Sequence, residues 1–216
     1  MNTFKNRNGK AVLLRMVSGI QKNKAYLGEV DGLIGDGDHG MNMNKGFSLF
    51  ETRFANQEIS FTDGLYELGN ILFSEIGGSM GPIYGTIFMD AADAGEDLEE
   101  ITLHDFSSML ESGLSGLTEI VEAKVGDKTL VDTLSPSVDS LKKSEQTGES
   151  FVVALEKLKT AAEAGRDSTK NMVAKFGRSS RLGERSKGVL DAGATSCCII
   201  LESMADGIIE LLNQEE

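Results

Sequence analysis

The chain has 216 residues, and 34 Asp and Glu outnumber 21 Lys and Arg, so its formal net charge is −13 at pH 7. A hydrophobic fraction of 40% with a charged fraction of 25% is typical of globular proteins and excludes an intrinsically disordered chain. This length suits one domain with its own core, and we expect a single domain over residues 1–216.

The negative charge also argues against some partners, because DNA, RNA and anionic membrane surfaces would all be repelled. We find neither a membrane-length apolar run nor a signal peptide, and therefore expect a cytoplasmic protein. The only cysteines, Cys197 and Cys198, are neighbours, which argues against a disulfide framework. With only two histidines besides, a structural zinc site is not expected.

Helical spacing of apolar residues dominates the chain, whereas the alternating pattern of strands is nearly absent. The pattern predicts an all-α domain of eight or nine helices, with the periodic apolar side chains in the core. The predicted helices cover 10–30, 41–54, 61–76, 82–94, 103–121, 129–142, 149–164 and 191–212, with a further short segment near 167–176.

The break after the first helix carries three carboxylates within eight positions, Asp31, Asp36 and Asp38, separated by glycines. Carboxylates this close repel one another unless a cation lies between them, and oxygen ligands suit Mg²⁺ or Ca²⁺. The alternative is a solvated turn in which Asp38 caps the next helix.

Two known motifs fail in this acidic break. An EF-hand needs an acid at its twelfth position, but counting from Asp31 gives Asn42 and counting from Asp36 gives Phe47. The glycines of segment 35–40 match the spacing of the dinucleotide fingerprint. However, a helix rather than a strand precedes them and two aspartates fill the gaps, which argues against a Rossmann fold.

Two glycine-containing breaks precede later helices. In segment 77–86, Pro82 suits a first helical turn and the preceding glycines leave backbone N–H groups available to an anion. A tight turn without a ligand is the alternative. Segment 126–129, Gly-Asp-Lys-Thr, lacks the upstream glycine and strand of a phosphate loop, and by itself predicts only a capped helix start.

The stretch from Lys170 to Lys187 holds six basic residues and one acid, a local charge of +5 in an acidic protein. Such a stretch is either a solvated face or a functional loop. The acid cluster, the glycine-opened helix starts and the basic stretch together indicate a Mg-nucleotide site built without a P-loop.

Four strings resemble the DhaL family, the nucleotide-binding subunits of dihydroxyacetone kinases. They are GDGDHGMNMNKGF (35–47), GGSMGPIYGT (77–86), GDKTLVDTLSP (126–136) and GRSSRLGERSKGVLDAGATS (177–196). The resemblance runs over essentially the whole chain in the same order. It implies an antiparallel eight-helix barrel, with ADP or ATP held by loops at one end and two Mg²⁺ ions on the nucleotide phosphates.

The resemblance also implies the site residues. The family's metal-binding aspartates correspond to Asp31, Asp36 and Asp38. The implied nucleotide contacts are His39, Gly40, Met41, Asn42, Gly78, Ser79, Met80, Gly81, Gly126, Arg178, Asp191, Ala192 and Gly193. Local hydrogen bonding is the alternative role for His39. His104 is expected at the surface. No arrangement typical of a nucleophile is present, so no catalytic residue is assigned to this chain.

Several positions depart from the family pattern. Ser79 and Met80 stand where the family more usually has Ala and Ser, Ala192 stands in place of Pro, and Arg181 replaces a frequent aromatic residue. The metal triad is intact. The departures leave open the fit to a partner and the choice between dihydroxyacetone and a related ketose.

By the resemblance, this chain is half of an enzyme whose ketose is held on a DhaK-like subunit. In one branch of the family, a DhaM-like phosphohistidine protein fed from phosphoenolpyruvate rephosphorylates bound ADP. In the other branch, ATP exchanges as a substrate. A separate chain favours the first branch. We expect a homodimer or a hetero-oligomer, with the basic stretch in the docking surface.

Within such a complex the metal ions would act as a template and stabilise charge. Backbone N–H groups around Ser79–Pro82 would hold phosphate oxygens, and Arg178 would supply the direct cation. Two other classes remain open from the residues: a regulator that reports nucleotide state to a transcription factor, and a structural helical domain without nucleotide.

Overall fold

Amphipathic helices make up most of the structure, a computed structural model in which residues 3–214 are described. The all-α prediction is confirmed. The eight α-helices of this range are α1 Lys10–Ile34, α2 His39–Phe54, α3 Phe61–Glu75, α4 Met80–Asp93, α5 Leu103–Ile120, α6 Val131–Gln146, α7 Phe151–Ser168 and α8 Ala192–Gln214. Within residues 3–214, no helix has both the length and the apolar character that crossing a membrane requires.

Each helix packs against the next one along the chain, and α8 returns to pack against α1. The contacts therefore close a ring, and apolar side chains from all eight helices form one core. Positions that the periodicity assigns to the core, such as Met16, Leu68 and Leu155, are fully or almost fully buried. Ring closure is the contact pattern that a barrel requires, while its antiparallel geometry stays a prediction.

A small sheet lies outside the predicted elements. Strand β1, Thr3–Lys5, pairs antiparallel with β2, Glu100–Thr102, and Phe4 faces Ile101 across the pair. Both of these side chains are fully buried. Three residues are too few to show an alternating pattern, and for this reason the sequence did not predict either strand.

Helix ends near the acidic break differ from the prediction. Helix α1 continues to Ile34, because the buried series Leu27, Val30 and Ile34 extends its apolar face. Helix α2 begins two residues earlier than predicted, at His39. Asp31 consequently lies in the last turn of α1 rather than in a loop.

The segment near 167–176 is not a separate α-helix. Helix α7 runs on to Ser168, a 3₁₀ turn covers Thr169–Asn171, and the chain is then irregular until a 3₁₀ helix at Arg178–Ser186. The long loop predicted from the missing apolar periodicity is therefore partly ordered as 3₁₀ structure.

Gly165 marks a close approach of α7 to α6. A Cβ atom at this position would lie 2.3 Å from the carbonyl oxygen of Asp132 and 2.9 Å from Cα of Thr133. Backbone atoms cannot yield as a flexible side chain would, so any larger residue must push the two helices apart.

We predict that Gly165→Ala lowers the free energy of unfolding by about 1–3 kcal/mol, the usual cost of overpacking. Urea unfolding followed by far-UV circular dichroism measures this. The matched control is Gly32→Ala on α1, where the added Cβ would meet only Cα of Gly37 at 3.9 Å. The control should be neutral or stabilised by up to about 1 kcal/mol, because alanine favours helix. Equal stabilities of the two variants would contradict the close approach.

Candidate functional site

A cleft of about 630 Å³ lies where the end of α1, the starts of α2, α4, α6 and α8, and the basic stretch meet. Twelve of the sixteen residues implied by the family resemblance line this cleft, although they come from four separate parts of the sequence. They are Asp31, Asp36, Asp38, His39, Asn42, Gly78, Ser79, Met80, Arg178, Asp191, Ala192 and Gly193.

The other four implied residues do not line the cleft. Gly40 is buried where α1 and α2 touch, since a Cβ there would lie 2.0 Å from the carbonyl oxygen of Lys24. Gly81 is equally confined, with a backbone carbonyl oxygen 2.4 Å from such a Cβ. Met41 is 64% exposed, and Gly126 sits in a loop with φ of +100°. The two buried glycines have an evident packing role.

The three aspartates converge at one side of the cleft. Asp31 lies in the last turn of α1, Asp36 in the connecting loop and Asp38 just before α2, yet one carboxylate oxygen from each lies within 4.8 Å of the others. Gly37, with φ of +78°, gives the loop the sharp bend that joins them. Three anionic oxygens within reach of one point fit a hard divalent cation such as Mg²⁺.

Asp38 does not cap α2 with its side chain, contrary to the solvated-turn alternative. It occupies the N-cap position with helical dihedrals, φ −89° and ψ −11°, from which its carboxylate makes no capping bond. Instead, the carboxylate of Asp31 accepts the N–H of His39 at 3.3 Å. The carboxylate of Asp38 therefore caps no N–H group of α2. The carboxylate of Asp31 is held by its hydrogen bond from the N–H of His39.

Arg178 brings the basic stretch onto the acid cluster. Its guanidinium forms an ion pair with the carboxylate of Asp36, although the side chain remains 61% exposed. In the solvated-face alternative, Arg178 would not contact a second element of the fold. The observed contact places a cation between the basic stretch and the acids.

Helices α2, α4 and α6 begin at the cleft, and their N-cap residues Asp38, Ser79 and Leu130 make no side-chain capping bond. The first N–H groups of a helix carry the positive end of its dipole. At α2 and α6 the first of them already donate to Asp31 and to Oγ1 of Thr129. Pro82 lies in the first turn of α4, as predicted. A Cβ on Gly77 or Gly78 would meet no atom of residues 3–214 within 4 Å, so there is space for a ligand at this turn.

Segment 126–129 is held by a residue inside α6. The carboxylate of Asp132 accepts the N–H groups of Gly126 at 2.5 Å and Thr129 at 2.7 Å. The N-cap residue, Leu130, has no side chain capable of capping. The prediction of a capped helix start agrees with these contacts, because Oγ1 of Thr129 also accepts the N–H of Val131 at 3.2 Å while Asp132 reaches back from the first turn.

His39 takes part in a buried chain of hydrogen bonds. Its Nε2 lies 2.8 Å from Oγ of Ser196, which lies 2.7 Å from the hydroxyl of Tyr84. The Tyr84 hydroxyl also lies 3.2 Å from the carbonyl oxygen of Gly193. Burial lowers the pKa of His39 to about 4, against an opposing effect of Asp31. The imidazole ring has the local hydrogen-bonding role, and it ties together the starts of α2, α4 and α8.

Lys128 is a cleft residue that sequence reasoning missed. It is 1% exposed, and its Nζ donates to the carbonyl oxygens of Thr169 at 2.5 Å and Val189 at 2.6 Å. Burial lowers its pKa, an effect that the negative charges of Asp191 and Asp132 oppose. The position of Lys128 in Gly-Asp-Lys-Thr was the available signal, but a lysine there is usually solvated.

Asp191 lies next to this lysine. Its carboxylate accepts the N–H of Ala194 at 2.8 Å and so caps the start of α8. The side chain packs inside the protein, although part of the residue is accessible from the cleft. Burial raises the pKa of Asp191 to about 6, while the charge of Lys128 lowers it.

Comparison with known proteins gives a consistent result. The DAK2 domain family matches residues 33–206. The DhaL protein of Escherichia coli, described as the ADP-binding subunit of a PEP-dependent dihydroxyacetone kinase, is 40% identical over 183 residues, which are 83% of this chain and 86% of that one. A DhaL protein of Listeria innocua with the same description is 36% identical over 186 residues, 86% of this chain and 88% of its own. This chain belongs to the DhaL family.

The fold agrees with a crystal structure, that of the dihydroxyacetone kinase of C. freundii in its native form. The TM-score is 0.71 with 21% sequence identity over 90% of this chain. This chain spans about a third of that longer protein, because the matched region is 33% of the longer protein's length.

The departures from the DhaL pattern are unevenly placed. Ser79, Met80 and Ala192 line the cleft, whereas Arg181 is exposed within the 3₁₀ helix at Arg178–Ser186. His104, expected at the surface, is exposed, and its Nδ1 lies 2.8 Å from a carboxylate oxygen of Glu145. Three of the four departures can therefore affect what the cleft holds.

Asp191 should make folding pH-dependent. Its folded pKa of about 6 lies above the unfolded value of about 3.9, so only the folded state gains a proton between these values. As the pH falls from 7 to 4, the free energy of unfolding of wild type should rise by up to about 3 kcal/mol relative to that of Asp191→Asn. The amide of the variant does not titrate in this range. Urea unfolding of both proteins at several pH values measures the difference.

Asp139→Asn controls for the loss of one negative charge, because Asp139 is exposed on α6. A difference between wild type and Asp191→Asn that stays constant with pH would contradict the burial of an ionised Asp191.

Proposed function

We propose that this chain is the Mg-nucleotide-binding subunit of a dihydroxyacetone-type kinase. It passes a phosphoryl group from a bound adenine nucleotide to dihydroxyacetone, or a related ketose, held on a DhaK-like subunit. The proposal rests on the convergence of Asp31, Asp36 and Asp38. One carboxylate oxygen from each lies within 4.8 Å of the others, at the side of the cleft where α2, α4 and α6 begin. Membership of the DhaL family supports it.

The acid cluster would hold divalent cations on the nucleotide phosphates, two of them by analogy with the family. When bound, Mg²⁺ supplies charge neutralisation and a template for the phosphates. The carboxylates come from the last turn of α1, the connecting loop and the N-cap of α2, and they already lie within 4.8 Å of one another.

The remaining groups of the cleft would position the nucleotide. The open turn at Gly77 and Gly78 leaves room for phosphate oxygens beside the first N–H groups of α4. Arg178 would offer its guanidinium to the same phosphates. Apolar side chains of Ile34 and Leu130 line the cleft and suit the base and ribose. The chain thus contributes position and charge, and no nucleophile of its own.

The ketose would come from a partner subunit, and the mouth of the cleft offers a surface for it. Four large apolar side chains near the cleft are exposed to solvent: Leu33, Met41, Val125 and Phe176. Exposed apolar residues grouped in this way are typical of interaction surfaces. Together with the exposed Arg181 and Arg185 of the basic stretch, they form the docking surface that we propose for a DhaK-like subunit.

The phosphoryl group would reach bound ADP from a phosphohistidine donor protein of the DhaM type, charged by phosphoenolpyruvate. The descriptions of the Escherichia coli and Listeria innocua relatives as PEP-dependent support this branch. Exchange of free ATP is the alternative. Assembly as a homodimer or hetero-oligomer belongs to the same proposal.

Asp36→Asn should weaken Mg-dependent nucleotide binding. Losing one charged contact to the metal–phosphate assembly should reduce ADP affinity by about tenfold or more, since such contacts contribute about 1.5–3 kcal/mol. Isothermal titration calorimetry with ADP, with and without Mg²⁺, measures this. The matched control is Asp139→Asn, the same change at an exposed position of α6.

Arg178→Ala gives a useful contrast in the same assay. It should reduce affinity while leaving the dependence on Mg²⁺ intact, because Arg178 would contact phosphate rather than metal. Equal ADP affinity in wild type and Asp36→Asn, unaffected by Mg²⁺, would rule out the metal site.

A reconstituted transfer assay tests the whole proposal. We expect dihydroxyacetone phosphate only when the chain is combined with a DhaK-like subunit, the phosphohistidine donor system and phosphoenolpyruvate. ADP should also co-purify with the chain, since a permanent coenzyme survives dilution. Repeated turnover with the DhaK-like subunit and ATP, without the donor system and phosphoenolpyruvate, would instead establish the ATP-exchanging branch. No transfer with either phosphoryl source would refute the kinase role.

A further inference from the structure

The two ends of the basic stretch lie next to each other and are joined by hydrogen bonds. The N–H of Gly188 donates to the carbonyl oxygen of Lys170 at 2.8 Å. The N–H of Asp191 donates to Oγ1 of Thr169 at 3.0 Å. Residues 170–188, here called the basic loop, therefore form an excursion whose two ends lie together. Its two ends, Thr169–Lys170 and Gly188–Asp191, are called the neck.

One buried side chain bridges the two sides of this neck. Nζ of Lys128 donates to the carbonyl oxygen of Thr169 on the outgoing side and to that of Val189 on the returning side. An ammonium group has three donors and no acceptor, so it suits a point where carbonyl oxygens converge. The negative charges of Asp191 and Asp132 act on Lys128 and offset its burial.

The backbone at Lys128 indicates that this placement is held by its contacts. Its φ is +63°, and it is the one non-glycine residue with positive φ in the described chain. Left-handed dihedrals at such a residue cost free energy and persist only where surrounding contacts enforce them. The two carbonyl bonds of Nζ are such contacts.

Further bonds extend the anchoring from the neck towards the cleft. The N–H of Lys175 donates to the carbonyl oxygen of Asp127, at 3.1 Å, and its Nζ lies 2.5 Å from the Asp127 carboxylate. The N–H of Ala174 donates to Oγ of Ser186 at 2.9 Å across the loop. Beyond these ties the chain reaches Arg178, which pairs with Asp36.

We propose that Lys128 is a positioning residue that closes the neck of the basic loop and thereby places Arg178 at the acid cluster. The closure of the neck is independent of the ligand. Only the consequence for nucleotide affinity depends on the proposed function. Replacing Lys128 by an apolar residue of similar length would leave the carbonyl oxygens of Thr169 and Val189 without their partner, and the neck should open.

The test compares wild type, Lys128→Met and the control Lys143→Met, which makes the same change at an exposed position of α6. Limited digestion with trypsin, with fragments identified by mass spectrometry, reports on the basic loop. In Lys128→Met we expect cleavage within the loop to be about tenfold faster, because local opening controls proteolysis. Cleavage outside residues 170–188 and the far-UV circular dichroism should not change. The loop offers trypsin Lys170, Lys175, Arg178, Arg181, Arg185 and Lys187.

Calorimetry with Mg-ADP on the same proteins measures the consequence for the site. We expect Lys128→Met to bind roughly 2- to 30-fold more weakly, the range typical of residues that act through others. A merely structural lysine would lower global stability without selective opening of the loop. Loop cleavage at the wild-type rate, or an opened loop with wild-type affinity, would overturn the proposal.

Two further measurements apply if Lys128→Met does not fold. Thr169→Val keeps the side-chain shape but removes the hydroxyl that accepts the N–H of Asp191, and should open the neck in the same way. Hydrogen exchange on ligand-free wild type should show the amides of Lys175, Gly188 and Asp191 exchanging about tenfold more slowly than those of 179–183. Equal rates would overturn the neck closure.

The two proposals fail separately. If wild type binds no Mg-ADP, the proposed function is wrong, yet digestion and exchange still decide whether Lys128 closes the neck. If wild type binds Mg-ADP and the loop of Lys128→Met remains closed, the positioning role is wrong and the proposed function stands.

Discussion

Repulsion between three carboxylates governs the arrangement at one end of this protein. With ligand oxygens of Asp31, Asp36 and Asp38 within 4.8 Å of one another, each pair costs about 1 kcal/mol in water and about 4 kcal/mol at an effective dielectric constant of 20. Positive charge close by lowers this cost. Arg178 supplies part of it by pairing with Asp36, and the uncapped starts of α2, α4 and α6 supply the partial charges of their N–H groups.

The contrast between helix starts follows from the same constraint. Away from the cleft, Ser60, Thr102 and Ser150 cap α3, α5 and α7 with their side chains. At the cleft the N-cap residues of α2, α4 and α6 form no such bond. Buried polar groups hold these ends instead: the chain from His39 through Ser196 to Tyr84, and the carboxylate of Asp132 behind segment 126–129. These buried groups hold the helix starts in place, and at α4 the open turn at Gly77 and Gly78 leaves space beside its first N–H groups.

Much of the architecture could be predicted because apolar spacing depends only on local geometry. The series ending in Leu65, Leu68 and Leu72 is buried on α3 as its period requires. The predictions failed where a sequence pattern was too short to recognise, or where the same pattern is typical of both a loop and a helix. Strand β1 has only three residues, and the glycines around Asp31 suggested a loop although Ile34 continues the buried face of α1. Glycine lowers helix propensity, but tertiary packing outweighed it there.

The sequence by itself determined the helical class, the apolar faces and the four motif strings, because each of these is encoded in residues near one another along the chain. Only the tertiary structure decided which motif residues share the cleft. It brought Arg178 to Asp36 across 142 positions of sequence and left Gly40 and Gly81 as packing residues. It also buried Lys128 between Thr169 and Val189. Composition cannot foresee a buried lysine, because its cost is offset by carbonyl oxygens and carboxylates that only the folded chain brings within reach.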